Sequence, residues 1–298
     1  VKASVILEKI LSAATAAGLV VSFDWRTVIL VMIVLGQGHF LIAYLYQARA
    51  GKIDRHYAVN YLCWAAFIVG CYTANPFPAG LTVIATIYFA VHMAVDEVYL
   101  TRLPLQLGNS PMHLGRLLEI LPVIALYAAT VSDGMLARGA WPGFPPLLPA
   151  SLLLSALVAV LYLALVVTRL YRPDTRSLYF LGAGTTLFAF AQQGWLQSLP
   201  TPLFSSFLIL FHYFNWYLHY YLSLPPEQGP AYLARVLLIN LLVVALYLGF
   251  GDRGPGWILF QEQNFYLWTL LHLISSTRLA DFQGALRLPP PDSAGGST

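Results

Sequence analysis

Charge is what this chain has least of. Acidic and basic residues make up 10% of its 298 residues, against roughly 25% in soluble domains. Mean hydropathy is +0.68 and 58% of the residues are hydrophobic. Such a chain cannot present the solvated surface of a water-soluble globule. The fold expected is all-α, a polytopic transmembrane helical bundle, because helices satisfy their backbone groups internally in lipid. Lysine is scarcer still inside the apolar runs. Lys9 alone falls within a predicted span, which leaves no buried lysine of the kind a retinal Schiff base needs. The two cysteines, Cys63 and Cys71, are eight apart on one predicted helix. That spacing fits neither a CxxC redox pair nor a zinc knuckle, so both are expected to pack as buried apolar residues. No HExxH, GxSxG or P-loop occurs, and the chemistries those motifs carry have no support. No polar stretch is long enough for a second domain. Residues 1–285 read as one transmembrane unit, and 286–298, ending "LPPPDSAGGST", as a disordered tail.

What the chain has instead is a series of apolar runs of about 20 residues, the length that crosses a bilayer. They lie near 4–23, 27–46, 58–75, 79–100, 116–133, 147–169, 178–198, 203–223, 231–250 and 260–279. That makes nine spans if the first segment lies on the surface, and ten if it crosses. The connecting loops alternate in basic charge. Arg49, Lys52 and Arg55, then Arg102 and Arg116, then Arg172 and Arg176, then Arg235, then Arg278 and Arg287 fall at alternate ends of the spans. The loops between carry one arginine or none. The positive-inside rule therefore places these ends and the C-terminus in the cytoplasm, and an inner bacterial membrane is the expected location. The net charge of +3 is spread over these short loops, and no nucleic-acid partner is expected.

Seven histidines occur. His56 and His113 fall in loops, and the other five fall in spans. His39, His92, His212 and His272 sit on four spans that run in the same direction. Each lies a similar distance below the outer end, roughly 14–20 Å at about 1.5 Å per residue. Four helices thus offer an imidazole at one depth. Imidazole is the commonest metal-ligand side chain, and burying several without a shared partner costs free energy. His219 lies about two turns deeper than His212 on the same helix. In "FHYFNWYLHYY", His212, Asn215 and His219 share one face, and Trp216 stands one turn from His212. Asn215 could ligate weakly or orient a water. In "YFAVHMAVDEVYL", Asp96 follows His92 by four, one turn on the same face. It could accept the free N–H of His92 and fix its tautomer, or merely mark the span end with Glu97 and pair with Arg102. Gly36 and Gly38, flanking His39, allow a close neighbour. Gln192 and Gln193 are further polar groups in a span. Phe188, Phe190, Phe214, Trp216 and Tyr217 could line a tunnel, though most should simply pack. A histidine-rich set with few carboxylates suits iron, zinc or copper. The donor set expected is mononuclear, with an open position for dioxygen or water.

The segment "HMAVDE", with His39 about fifty residues before it and the aromatic span from His212 about 120 after it, resembles the Brp/Blh family of membrane-integral β-carotene dioxygenases. The family pairs its late ligands four apart on one helix. Here that position is Trp216, so His219 or His272 must substitute. The resemblance implies a helical bundle in which His39, His92 and His212, with one of those two, hold Fe(II). It implies oxidative cleavage of a lipid-soluble polyene by dioxygen, with substrate entering from the membrane lipids. Two alternatives stand beside this reading. One is a hydrolase of membrane lipids with histidine-bound zinc. The other is a transporter or assembly factor whose histidines bond between helices.

Overall fold

The structure is a computed structural model. It describes residues 3–49, 51, 53–74, 88, 89, 91–93, 96, 115, 117–126, 148–173, 181, 202–251 and 253–276. Most of the predicted span 79–100 and nearly all of 178–198 lie outside these residues. So do Glu97, Arg102, His113, Phe188, Phe190, Gln192, Gln193 and the tail.

Every regular element among the described residues is a helix. α1 runs Ala3–Ser22, α2 Trp25–Arg49, α3 Arg55–Ala74, α4 Leu148–Val167, α5 Pro202–Ser223, α6 Gly229–Phe250, α7 Pro255–Phe260 and α8 Glu262–Ser276. A shorter apolar helix covers Leu117–Leu126. The fold is thus the all-α bundle expected from the apolar runs. Three of the described helices are long and apolar enough to cross a membrane on hydropathy alone: Trp25–Arg49, Pro149–Val167 and Gly229–Phe250. α5 is 22 residues long, but its histidines, asparagine and tyrosines lower its hydropathy.

Polar side chains set the helix starts. Asp24 caps α2: its Oδ1 accepts from the amides of Arg26 and Thr27 at 3.0 and 3.2 Å, and its Oδ2 accepts from the Thr27 hydroxyl at 2.6 Å. The Thr27 hydroxyl and amide hold the exposed Asp24 carboxyl below the usual carboxylate range. Asp54 caps α3 in the same way, accepting from the Tyr57 amide at 2.7 Å. Between α6 and α7 the string "GFGDRG" has the glycine spacing of a dinucleotide loop. It follows a helix rather than a strand, so that fingerprint does not apply. Gly251 and Gly254 adopt φ of 59° and 51°, and glycine tolerates this turn because it has no Cβ.

The predicted span 260–279 corresponds to α8; the short α7 precedes it, and the two are separated by a break at Gln261, which is extended at φ −68°, ψ 130°. A break leaves carbonyls without helical partners, a serious cost in an apolar setting. Side chains take up that role: Asn264 Nδ2 donates to the Trp257 carbonyl at 2.8 Å, Trp268 Nε1 to Ile258 at 2.9 Å, and Gln37 Nε2 to Leu259 at 2.7 Å. The last of these ties the break to α2.

α2 is the centre of the bundle. It packs against α5, α6, α7 and α8, while α1 lies along α5 and α3 packs on α8. Some 61% of its apolar window is buried, against 11% for Pro149–Val167 and Gly229–Phe250. Those two helices therefore turn most of their apolar surface outward, as lipid-facing helices do. Cys63 is exposed on α3 rather than packed inside, because α3 sits at the periphery. Close packing, not water exclusion, must hold such helices together in lipid, and the glycines of α2 show how. A Cβ on Gly36 would stand 2.6 Å from the Phe265 ring and the Tyr213 hydroxyl, and one on Gly38 would collide with Asn240. Gly36→Val is expected to cost about 1–3 kcal/mol by overpacking. Gly18→Ala, with nothing within 4 Å, should instead stabilise α1 slightly. Thermal unfolding in detergent reads both signs.

Candidate metal centre

α2 supplies His39, α5 His212 and α8 His272. A helical stretch that includes residues 91–93 and 96 supplies His92 and Asp96. All five are buried. The four rings close a circuit. Ring centroids are 5.3 Å apart for His39 and His212, 5.1 Å for His212 and His92, 5.8 Å for His92 and His272, and 5.3 Å for His272 and His39. An ion at about 2.1 Å from each nitrogen puts each ring centroid about 3.2 Å away, so a tetrahedral set has centroids about 5.2 Å apart. The four adjacent separations bracket that value, but among the described residues the donor atoms that lie within 4.8 Å of one another are those of His92, Asp96 and His212, not of His39 or His272.

Asp96 enters the same group. Its Oδ2 lies 3.2 Å from His92 Nε2 and 3.6 Å from His212 Nδ1. These three side chains place one ligand atom each within 4.8 Å of one another. The approach to His92 is close but lacks hydrogen-bond alignment, and His92 Nε2 is buried with no hydrogen bond. Asp96 therefore does not fix the tautomer of His92 through a hydrogen bond; its oxygen is instead one of the converging donor atoms. Trp216 Nε1 donates to that Oδ2 at 2.6 Å, holding the carboxylate from α5. A buried carboxylate beside imidazoles is stabilised by a cation, and nitrogen donors with one oxygen suit iron or zinc. The buried His92, Asp96 and His212 group could hold a metal ion.

Packing fixes the ring planes. His272 stacks on Phe40 at 4.6 Å and 27°, and His39 on Tyr213 at 4.9 Å and 29°. Tyr213 also fills the space left by Gly36.

His219 is not brought to the other four. Two turns carry it about 10 Å along α5, where it meets α1 instead. Its Nδ1 lies 3.2 Å from Glu8 Oε2, and both side chains are buried. Between His219 and His272, it is the His272 ring that joins the circuit. Asn215 is fully buried in α5 and does not line the cavity beside the rings.

That cavity measures about 250 Å³ and has His39, His92, His272 and Asp96 at one end. Trp216 and Tyr217 form part of its wall, whereas Phe214 packs against the core. Ile42, Ala43, Tyr46, Gln47, Tyr220 and Tyr232 also line it. The three tyrosines carry no local sequence signal, since aromatics recur along the whole chain. Glu8 did carry one, as an acidic residue inside an apolar run.

No protein-family model, curated protein or solved structure matches the chain.

Glu8→Ala strips His219 of its carboxylate partner in a buried interface and is expected to cost about 1–3 kcal/mol. His219→Ala should cost a similar amount, and the double variant less than the sum. A double-mutant cycle read by thermal unfolding checks the coupling.

Proposed function

We propose that this chain is a membrane-integral oxidoreductase whose histidines hold a non-haem iron ion and which acts on a lipid-soluble substrate. The observation that carries the reading is the buried circuit of four imidazoles, with Asp96 beside His92 and His212, next to a cavity. Four helical segments converge to make it, and a shared cation would offset the cost of gathering so many polar groups in an apolar bundle.

In this reading His92, His212 and Asp96, whose donor atoms converge, hold the ion, and His39 and His272 close the ring of imidazoles beside it. Asp96 supplies negative charge at the ion, and the Trp216 N–H fixes the rotamer of that carboxylate. Phe40 and Tyr213 keep His272 and His39 from rotating out. Ferrous iron supplies a place for dioxygen when bound, since iron accepts more than four ligands. The cavity beside the rings receives the reacting part of the substrate and shields it from water. Oxidative cleavage of a conjugated polyene such as a carotenoid is the specific reaction that the likeness in "HMAVDE" favours. An inner bacterial membrane is the location that fits both substrate and loop charge.

Elemental analysis of purified protein tests the reading. About one iron per chain is expected, with most of it lost in His92→Ala and retained in His219→Ala. Trp216→Phe, which keeps a ring but removes the donor to Asp96, should weaken metal affinity about 10–100-fold. Stoichiometric zinc in place of iron would move the reading to a hydrolase of membrane lipids. No bound metal in the parent would end it in favour of a transporter or assembly factor.

A further inference from the structure

The cavity is small and walled almost wholly by rings. Trp216 and Tyr220 stack at 5.2 Å and 26°, and Tyr46 stacks on Tyr220 at 5.9 Å and 11°. Tyr232 stands 6.0 Å from Tyr46 and 6.4 Å from Tyr220. These four rings form one continuous surface that runs from Asp96, through its hydrogen bond to Trp216, to the partly exposed Tyr220. Among the described residues, Ile42 and Ala43 are the only aliphatic side chains lining the cavity.

Tyrosines near helix ends often form an interfacial belt. Belt residues face outward, whereas Tyr232 is 2% exposed, with its hydroxyl donating to the Tyr217 carbonyl at 3.3 Å. The belt explanation therefore fits Tyr221 and the outer edge of Tyr220 but not Tyr232.

Size narrows the occupant. A cavity of about 150 Å³ accepts benzene, so about 250 Å³ accepts one six-membered ring with a few substituents. It does not enclose a long chain, and anything longer leaves its remainder among lipids. Aromatic walls favour a flat π system through offset and edge contacts that an acyl chain cannot make. Polarity narrows it further. The Tyr57 hydroxyl donates to Gln47 Oε1 at 3.1 Å, so the group that Gln47 offers a ligand is its NH₂, a donor. A carbonyl or phenol oxygen matches it.

We propose that the cavity is a seat for the ring end of a lipid-soluble quinone or phenol. The flat face lies against the Trp216–Tyr220–Tyr46 wall, the edge points to the imidazoles, and the tail stays in the bilayer. This rests on the metal reading only for what happens to the ring. The wall that seats the ring, from Trp216 through Tyr220 and Tyr46 to Tyr232, with Gln47, contains none of the proposed ligands, although His39, His92, His272 and Asp96 also line the cavity.

Equilibrium binding of a radiolabelled decyl-benzoquinone to the full chain in lipid nanodiscs tests it, with decylphenol, decanoic acid and decylbenzene as competitors. One saturable site per chain is expected. Decanoic acid should compete at least tenfold more weakly than the unlabelled quinone, and decylbenzene likewise. Ala43→Phe fills the seat and should weaken binding at least tenfold while metal content stays at the parental level. Should Ala43→Phe lose its metal, Ala43→Leu is the variant scored, by the same tenfold criterion. Gln47→Ala should abolish the preference for the oxygen-bearing rings over decylbenzene. The ratio of quinone to phenol affinity identifies which of the two the seat favours. No saturable site, equal competition by decanoic acid, or undiminished binding in the filled variant would each overturn the seat. Ring binding that survives in a chain with no metal would uphold the seat and sink the iron reading. Metal without ring binding would do the reverse.

Discussion

The fold turns on a single carboxylate oxygen. Asp96 Oδ2 takes the Trp216 N–H at 2.6 Å and stands within 3.2 and 3.6 Å of two imidazoles. It links the stretch around His92 to α5 in the middle of an apolar bundle. Hydrogen bonds to an ionised acceptor are the strong ones, and removing their solvent makes them stronger still. The same low dielectric makes an unsatisfied carboxylate very costly. Asp96 thus stabilises the assembly only while its neighbours remain in register. The close packing of α2 can be read as the scaffold that keeps them there.

Two buried carboxylates in this bundle behave differently. Asp96 sits among several nitrogen donors, beside a cavity. Glu8 faces one imidazole, that of His219, across the α1–α5 interface, and does not line the cavity beside the rings. The first arrangement has the donor number and the access that ligand chemistry requires. The second has the pairing that locks two helices together. A third carboxylate, Glu119, is also fully buried and accepts from the hydroxyls of Tyr171 and Tyr162 at 2.6 and 3.1 Å. Polar groups in apolar helices therefore serve both as ties and as sites. Donor count and open space separate the two uses.

Depth was legible in the sequence, and direction around the helix was not. Apolar runs fix where a residue sits along a span, so His39, His92, His212 and His272 could be placed at one level before any coordinates. Which face each helix turns inward depends on contacts between helices, and α2 is apolar nearly all round. His219 and His272 could not be ranked for that reason. The break at Gln261 did leave traces: Gly254 and Pro255 ahead of it, and the polar run from Gln261 to Asn264. A hydropathy window averages over such features. Cys63 was misplaced by the same averaging, since an apolar residue in a span can face either protein or lipid. The cavity wall was invisible because its rings come from helices far apart in sequence.

Gly36, Gln37, Gly38, His39, Phe40, Ile42 and Ala43 each answer to a different neighbour. In turn they receive Phe265, tie the Leu259 carbonyl, admit Asn240, face the imidazole circuit, support the His272 ring, and line the cavity. One inserted residue upstream would rotate this stretch by about 100° and advance it about 1.5 Å. All those obligations would then fail together, so this half of α2 tolerates exchanges of side chain far better than any change in its phase.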